Sequence, residues 1–302
     1  MRNVLVTGAG GFVGRHLTPV LKNAGWNVKG VGRREIGDLE FDVDWREHLN
    51  GIDAIVHLAA RVHKLGEKGD DPAVTESHFK ANCDATINLA QQADLMGVKK
   101  FIFISTIKVL GDKNDRPFDG DSMFNPCDPY SRSKAAAEQL LLQKIENMCT
   151  TIIRPPLVYG PYVRGNFQKL IRIVEAGLPL PLANIKNARS LLYVGNLADT
   201  IRVALDAPPG IYLPSDKEPV STETLVRTLA AALDCPTRLF PAPIVLLRIA
   251  GYIIGKAEMT HRLIDSLTVN GNIPDWHPPY SFREGIAETA AWWRTTKESE
   301  KR

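Results

Sequence analysis

A dominant charge of one sign is missing from this sequence. Its 302 residues sum to a formal net charge of only +3, too little for a chain built to coat nucleic acid, although a local basic cleft for phosphates fits the balance. Cysteine is scarce. Cys83, Cys127, Cys149 and Cys235 form no CxxC and no metal-ligand spacing, so no metal site is expected, and the thiols read as reduced and mostly buried in a cytosolic protein. The chain enters a strand pattern at Arg2-Asn3-Val4-Leu5-Val6-Thr7 without an apolar core and cleavage site, so no signal peptide is expected. A membrane-spanning run is also lacking. Ile244–Ile254 is apolar but falls short of the ~20 residues a span needs, and Arg248 interrupts it, so it reads as a helix packed on the protein itself. There is no fixed-period repeat and no low-complexity tract. Hydrophobic residues at 44% and charged residues at 24% leave no compositional case for disorder.

What is present is an alternation of short β-branched runs and helical patterns. It predicts strands at Val4–Thr7, Asn27–Val31, Ala54–Leu58, Phe101–Ser105 and Thr151–Arg154. Phe12–Ala24 reads as the first helix, and Phe79–Met96 as a helix covering one sheet face. The fold class is therefore α/β, a doubly wound parallel sheet with a smaller interleaved α/β part. Past Arg154 the texture changes, with Pro155, Pro156, Pro161, Pro179 and Pro181 crowding one region. We expect residues 1–160 plus about 190–212 to form the sheet domain, and about 161–189 and 213–302 the second domain, ending in a helix with Trp292 and Trp293. Lys297–Arg302 is expected to fray.

Gly8, Gly11 and Gly14 make a GxxGxxG turn between the first strand and first helix, with Phe12 and Val13 inside it. Bare backbone N–H groups at a helix N-terminus suit a pyrophosphate, and a Cβ there would hold the anion away. A dinucleotide is the expected ligand. An NAD site would place a carboxylate at the end of the second strand, to accept from the ribose 2′-hydroxyl. This chain has Arg33 and Arg34, which suit a 2′-phosphate or form a solvated basic turn. NAD and NADP both stay open, with NADPH favoured. Asp42 and Val43 are candidates for the adenine edge, and Asp42 reads equally well as a surface carboxylate.

Tyr130-Ser131-Arg132-Ser133-Lys134 follows Pro129 and runs into Ala135-Ala136-Ala137. On a helix Tyr130 and Lys134 share a face. A free phenol ionises near pH ~10, and a neighbouring ammonium is expected to lower that value. Hydride transfer at a carbinol carbon needs such a group to move the hydroxyl proton. Ser105-Thr106, at the carboxyl end of the fourth strand, would steady the same oxygen.

With these motifs in hand, the sequence resembles the extended short-chain dehydrogenase/reductase family of nucleotide-sugar epimerases, dehydratases and ketoreductases. The matching residues are the glycine turn, His57-Leu58-Ala59-Ala60, Asn82, Ser105-Thr106, Tyr130 with Lys134, and Arg154-Pro155-Pro156-Leu157-Val158-Tyr159-Gly160-Pro161. The resemblance implies a Rossmann-type fold, Tyr130 as general acid/base, Lys134 on the nicotinamide ribose and Thr106 on the reacting sugar oxygen. It implies that Leu58, Ala59, Ala60, Asn82 and Pro156 line the cofactor cleft. It places Lys108 beside the sugar, and Asn166, Arg189 and Arg262 on the diphosphate of a UDP-sugar. A cytoplasmic homodimer, paired through helices flanking the active site, is expected on the same ground.

Sugar 4,6-dehydratases carry an Asp-Glu pair after the threonine. Here Ile107-Lys108 stands in its place, which disfavours dehydration. The phrases Arg61-Val62-His63, Ser105-Thr106-Ile107-Lys108-Val109, Leu178-Pro179-Leu180-Pro181-Leu182 and Arg189-Ser190-Leu191 resemble a bacterial subgroup of UDP-sugar 4-ketoreductases that form UDP-N-acetylquinovosamine for surface polysaccharide. Leu110 departs from that pattern, which has a polar residue before Gly111. The expected activity is that reductase. The alternatives are a UDP-glucose or UDP-N-acetylglucosamine 4-epimerase, and a non-catalytic dinucleotide sensor.

Overall fold

The computed structural model describes residues 2–39, 42–62 and 71–300, with the side chains of 298–300 excepted. The expected strands form with boundaries shifted by one or two residues: β1 (Arg2–Thr7), β2 (Trp26–Val31), β3 (Ala54–His57), β4 (Lys100–Ile104) and β5 (Cys149–Ile153). After β5 come β6 (Leu157–Tyr159), β7 (Leu180–Ala183), β8 (Leu191–Tyr193), β9 (Ile211–Tyr212) and β10 (Leu239–Pro241). Six of them make one sheet in the order β2-β1-β3-β4-β5-β9, every pair parallel. Being buried on both faces, β3 reads Ala-Ile-Val-His with no exposed position.

The helices are α1 (Phe12–Asn23), α2 (Arg33–Ile36), α3 (Arg46–Leu49), α4 (Pro72–Phe79), α5 (Ala85–Leu95), α6 (Pro129–Lys144), α7 (Gly165–Glu175), α8 (Val194–Ala204), α9 (Thr222–Ala232), α10 (Ile244–Ile253), α11 (Ala257–Ile264) and α12 (Phe282–Glu300). One apolar cluster, with Leu5, Ile55, Leu89, Phe101 and Leu141, fills one side of the sheet; another, with Val4, Val56, Leu17, Leu197 and Ile201, fills the other. A third joins Tyr159, Phe167, Ile171, Leu229, Ile286 and Trp293, away from the large sheet.

Several expectations are corrected here. The helix expected over Phe79–Met96 is interrupted by a π-helical turn at Lys80–Asp84. The C-terminal helix runs on to Glu300, with the Lys297 ammonium on the Glu175 carboxylate; the fraying expected over Lys297–Arg302 falls in part outside the described residues. Of the four free cysteines only Cys83 is buried; Cys127 and Cys149 are exposed and Cys235 is intermediate. The segment around Ile244 is helical as expected, yet it is not packed into the protein: Val245 is 66% and Ile253 76% exposed. Its contacts with the rest of the chain include Leu247, the glycine face at Gly251 and the Arg248–Asp265 ion pair (2.9 Å). Among the described residues no helix is long and apolar enough to cross a membrane.

Candidate active site

Because the six strands run parallel, the carboxyl ends of β1, β3, β4 and β5 lie along one edge. The glycine turn follows β1. Gly8 has φ +71°, and a Cβ there would come within 3.0 Å of the Ala59 nitrogen after β3. A Cβ at Gly14 would sit 2.5 Å from the carbonyl oxygens of Gly8 and Ala9, so only glycine lets α1 lie this close to its own turn. The turn is closed by Gly8 N–H on Val31 O (2.8 Å) and Gly11 N–H on Gly8 O (2.9 Å). No side chain caps α1 and its first turn holds no acidic residue, which leaves its N-terminal donors to an anion. These features fit a dinucleotide pyrophosphate. Phe12 and Val13 are half-buried at the start of α1 and pack on the third cluster.

A buried relay ties the β1 and β3 ends together. Thr86 Oγ1 donates to Asn82 O (2.8 Å), so it accepts from His57 Nε2 (3.1 Å); His57 Nδ1 then accepts from Thr7 Oγ1 (2.7 Å), which accepts from Ala59 N–H (3.2 Å). Burial, assisted by the Lys134 charge, pushes His57 down to about 3. Leu58, Ala59 and Ala60 follow β3, all half-buried, and Pro156 is buried after β5. Asn82 is fully buried, and its amide is consumed within the protein. It accepts from Arg61 N–H (2.7 Å) and donates to Arg61 O (3.0 Å) and to Ser133 Oγ (3.0 Å). It therefore braces the cleft wall against α6 rather than presenting its own donors.

Tyr130 and Lys134 lie on α6. Asp128 caps the helix by accepting from Ser131 N–H (2.7 Å), and Ser131 Oγ accepts from Asp128 N–H (3.1 Å) in return. Tyr130 thus sits in the first turn, its ring edge-on to His78 at 6.1 Å. Lys134 is 1% exposed; its ammonium donates to Ile104 O (2.8 Å) and stands 4.3 Å from the centroid of Phe103. One turn further, Glu138 pairs with Arg154, whose Nε and Nη2 donate to Oε2 at 3.0 and 2.7 Å, both side chains buried. Burial pushes the Glu138 carboxyl up while Arg154 opposes.

The expected lowering of the Tyr130 phenol is not found. Burial, with the Asp128 charge adding to it, pushes the phenol up to about 12. Burial also pushes Lys134 down to about 7, partly offset by Glu138. Desolvation outweighs the mutual help expected of the pair.

Thr106 is nearly buried after β4, and its Oγ1 accepts from Lys108 N–H (3.3 Å) at the head of a 3-10 turn, Ile107–Val109. The Lys108 ammonium is engaged by the Asp128 carboxylate, so this lysine fastens the post-β4 turn to the α6 cap. At the end of β2 the chain does hold a carboxylate: Glu35 Oε2 accepts from Gly32 N–H (2.8 Å). Arg33 pairs with Asp38 (3.0 Å), both side chains exposed, and Arg34 is exposed as well. Asp42 is exposed, and Val43 is half-buried with its carbonyl accepting from Asn88 and Gln92. His63 lies outside the described residues.

Asn166 is exposed in the first turn of α7. Arg189 is half-buried, and its Nη1 donates to Asp265 O (2.9 Å). Its pKa is lowered, chiefly by burial and also by the positive charge of Arg262. Arg262 also pairs with Glu258 (3.1 Å). Glu35, Asp128 and the Glu138–Arg154 pair were missed in the sequence, though Asp-Pro-x-Ser is a legible cap and Glu138 stands four residues after Lys134.

The sequence matches the NAD dependent epimerase/dehydratase family over residues 4–213, and the chain belongs to that family. Its curated relatives include a UDP-glucose 4-epimerase of Vibrio cholerae, 38% identical over 96% of this chain and 94% of the relative. They also include an N-acetyl-alpha-D-glucosaminyl-diphospho-ditrans,octacis-undecaprenol 4-epimerase of Escherichia coli O157:H7, 30% identical over 81% of this chain and 77% of that one. Among solved structures, MoeE5 in complex with UDP-glucose and NAD aligns with TM-score 0.73 at 26% identity, covering 98% of this chain and 99% of that chain. The UDP-glucose 4-epimerase of Thermus thermophilus with NAD shares the fold, with TM-score 0.76 at 23% identity over 97% of this chain and 99% of that chain. The protein is thus an NAD-dependent enzyme of the nucleotide-sugar epimerase/dehydratase type.

Proposed function

We propose that the protein is a UDP-sugar 4-epimerase. The observation that carries this reading is the placement of Tyr130, Lys134 and Thr106 where α6 meets the carboxyl end of β4, on the same sheet edge as the glycine turn. The Vibrio cholerae relative, similar over nearly the whole length of both chains, supports it.

Bound on the glycine turn, NAD supplies a hydride acceptor at C4 of the sugar and the donor for its return. Tyr130 takes the O4 proton in the oxidising half and gives it back in the reducing half. In the free protein the phenol rests protonated, which suits the reducing half; it has to give up that proton before the oxidising half can begin. Lys134, one turn away and pushed down to about 7, gains or loses a proton at little cost near neutral pH. Thr106 Oγ1 orients the same sugar oxygen. In this proposal Gly8, Gly11, Phe12, Val13 and Gly14 hold the pyrophosphate end, and Leu58, Ala59, Ala60 and Pro156 line the nicotinamide side. The part of the chain built around the third apolar cluster holds the nucleotide sugar, with Arg189 and Arg262 as its diphosphate ligands. Arg189 is tied to Asp265 at the end of α11, the helix that carries Arg262, and guanidinium forks suit a diphosphate.

A second reading, the 4-ketoreductase forming UDP-N-acetylquinovosamine, is favoured by Arg33 and Arg34 beyond β2. The carboxylates of Glu35 and Asp38 in the same turn weigh against it. The deciding experiment follows UDP-glucose and UDP-N-acetylglucosamine by NMR with the purified protein and no added coenzyme. Appearance of the galacto epimers, with NAD released on denaturation, is expected. NADPH consumption matched to loss of a 4-oxo sugar, without epimerisation, would replace the epimerase by the reductase.

A further inference from the structure

Thr106 and Tyr130 approach the candidate site from different elements, Thr106 from the end of β4 and Tyr130 from the first turn of α6. Lys134 fastens α6 to β4 through Ile104 O, one turn below the phenol. At the phenol's own end of the helix the tie is Lys108.

Lys108 touches both sides. Its main-chain N–H donates to Thr106 Oγ1 (3.3 Å), so the hydroxyl hydrogen points away from that N–H. Its ammonium lies on the Asp128 carboxylate, with Asp112 farther off at 3.8 Å. Asp128 divides its two oxygens. Oδ2 takes the ammonium, and Oδ1 accepts from Ser131 N–H (2.7 Å), the bond that caps α6. Pro129 alone separates this cap from Tyr130.

The turn that bears Lys108 is itself anchored. Ile107 N–H donates to Pro155 O (3.0 Å), Asn125 N–H donates to Val109 O (2.9 Å), and Ile107 and Val109 are buried. The lysine therefore starts from a fixed backbone and ends on a fixed cap. An ion pair in open solvent contributes little, but here the Lys108 and Asp128 side chains are only 23 and 24% exposed. Removing one partner leaves the other charge mostly withdrawn from water, and the bridge between the two segments is gone.

We propose that Lys108 is a positioning residue of this site, its N–H and its ammonium together setting the distance between the Thr106 hydroxyl and the Tyr130 phenol. The inference rests on the roles proposed above for those two groups, and it holds for hydride transfer in either direction.

The test is a double-mutant cycle on turnover, with Lys108→Met and Asp128→Ser alone and combined, because serine keeps a capping oxygen without the charge. Each single variant is expected to lower kcat roughly ten- to hundredfold, with KM and NAD retention little changed. The combined variant is expected to be no worse than either single one, and Lys108→Arg to restore most of kcat. Should Lys108→Met fail to fold, Lys108→Gln takes its place. A raised KM in the Lys108 variant that Asp128→Ser does not share puts the ammonium on the sugar and overturns the proposal. So do additive losses, or a folded Lys108 variant with the kcat of wild type.

A second readout uses no sugar. In isotope-labelled protein the Tyr130 ring resonance, assigned with Tyr130→Phe, is expected to shift in both single variants and to return in Lys108→Arg. A ring that neither variant moves overturns the proposal whatever the substrate. A ring that shifts and returns in a protein inert toward UDP-sugars supports the positioning and strikes the epimerase reading instead.

Discussion

The Lys134 ammonium donates to the main-chain oxygen of Ile104, 2.8 Å away at the last residue of β4. This one bond fastens the catalytic face of α6 to the edge of the sheet. It also holds a cation where almost no water reaches it.

Folding therefore works against the Lys134 charge. The ammonium titrates near about 7 in the folded protein against 10.5 ordinarily. Between those values the unfolded chain keeps a proton that the folded chain has released, so the lysine's contribution to stability rises with pH across that window. Lys134→Met is expected to raise the denaturant midpoint by the equivalent of about 1–3 kcal/mol at neutral pH. The gain should shrink toward the upper end of the window. Chemical unfolding at several pH values checks this, and a gain that grows with pH would contradict it.

Tyr130→Phe removes only the oxygen proposed to move the O4 proton. Turnover is expected to fall about 10²–10⁴-fold with KM little changed. Steady-state kinetics on the UDP-sugar is the measurement, and retained turnover would remove Tyr130 from the chemistry.

Arg154 and Glu138 are paired inside the protein. Arg154→Met leaves a buried carboxylate alone and is expected to cost about 3–5 kcal/mol. Replacing both, Arg154→Met with Glu138→Leu, is expected to recover most of that loss. A double-mutant cycle by urea unfolding separates the terms, and additive losses would show that the pair is not coupled.

Gly14→Ala puts a methyl 2.5 Å from two backbone oxygens. The resulting shift of α1 from its turn is expected to cost about 1–3 kcal/mol and to lower NAD retention. Calorimetry and the nucleotide content of purified protein report the two effects separately.

Glu35→Gln takes the negative charge from the end of β2. A rise of roughly fivefold in NADP binding relative to NAD is expected, measured by titration with each coenzyme.

The sheet and its ligand-facing edge were legible in the sequence because β-branched runs, a glycine turn at a strand end and a Tyr/Lys pair each have one geometric meaning. Spacing tells which residues share a face, as with Tyr130 and Lys134. It does not tell how much water that face keeps, and so the phenol was expected to move down when burial moves it up. The same limit applies to α10. Its composition is that of a buried helix, and only the fold reveals that its apolar side chains stay exposed among the described residues. Lys108 shows the converse case: a cation placed beside the sugar by resemblance is claimed by Asp128 at the head of α6.

His57 is fixed from both ring nitrogens by threonines and is pushed down to about 3. It is therefore a spectator to acidification. Under ordinary acidification the rim joining β1 to β3 keeps one tautomer and one shape.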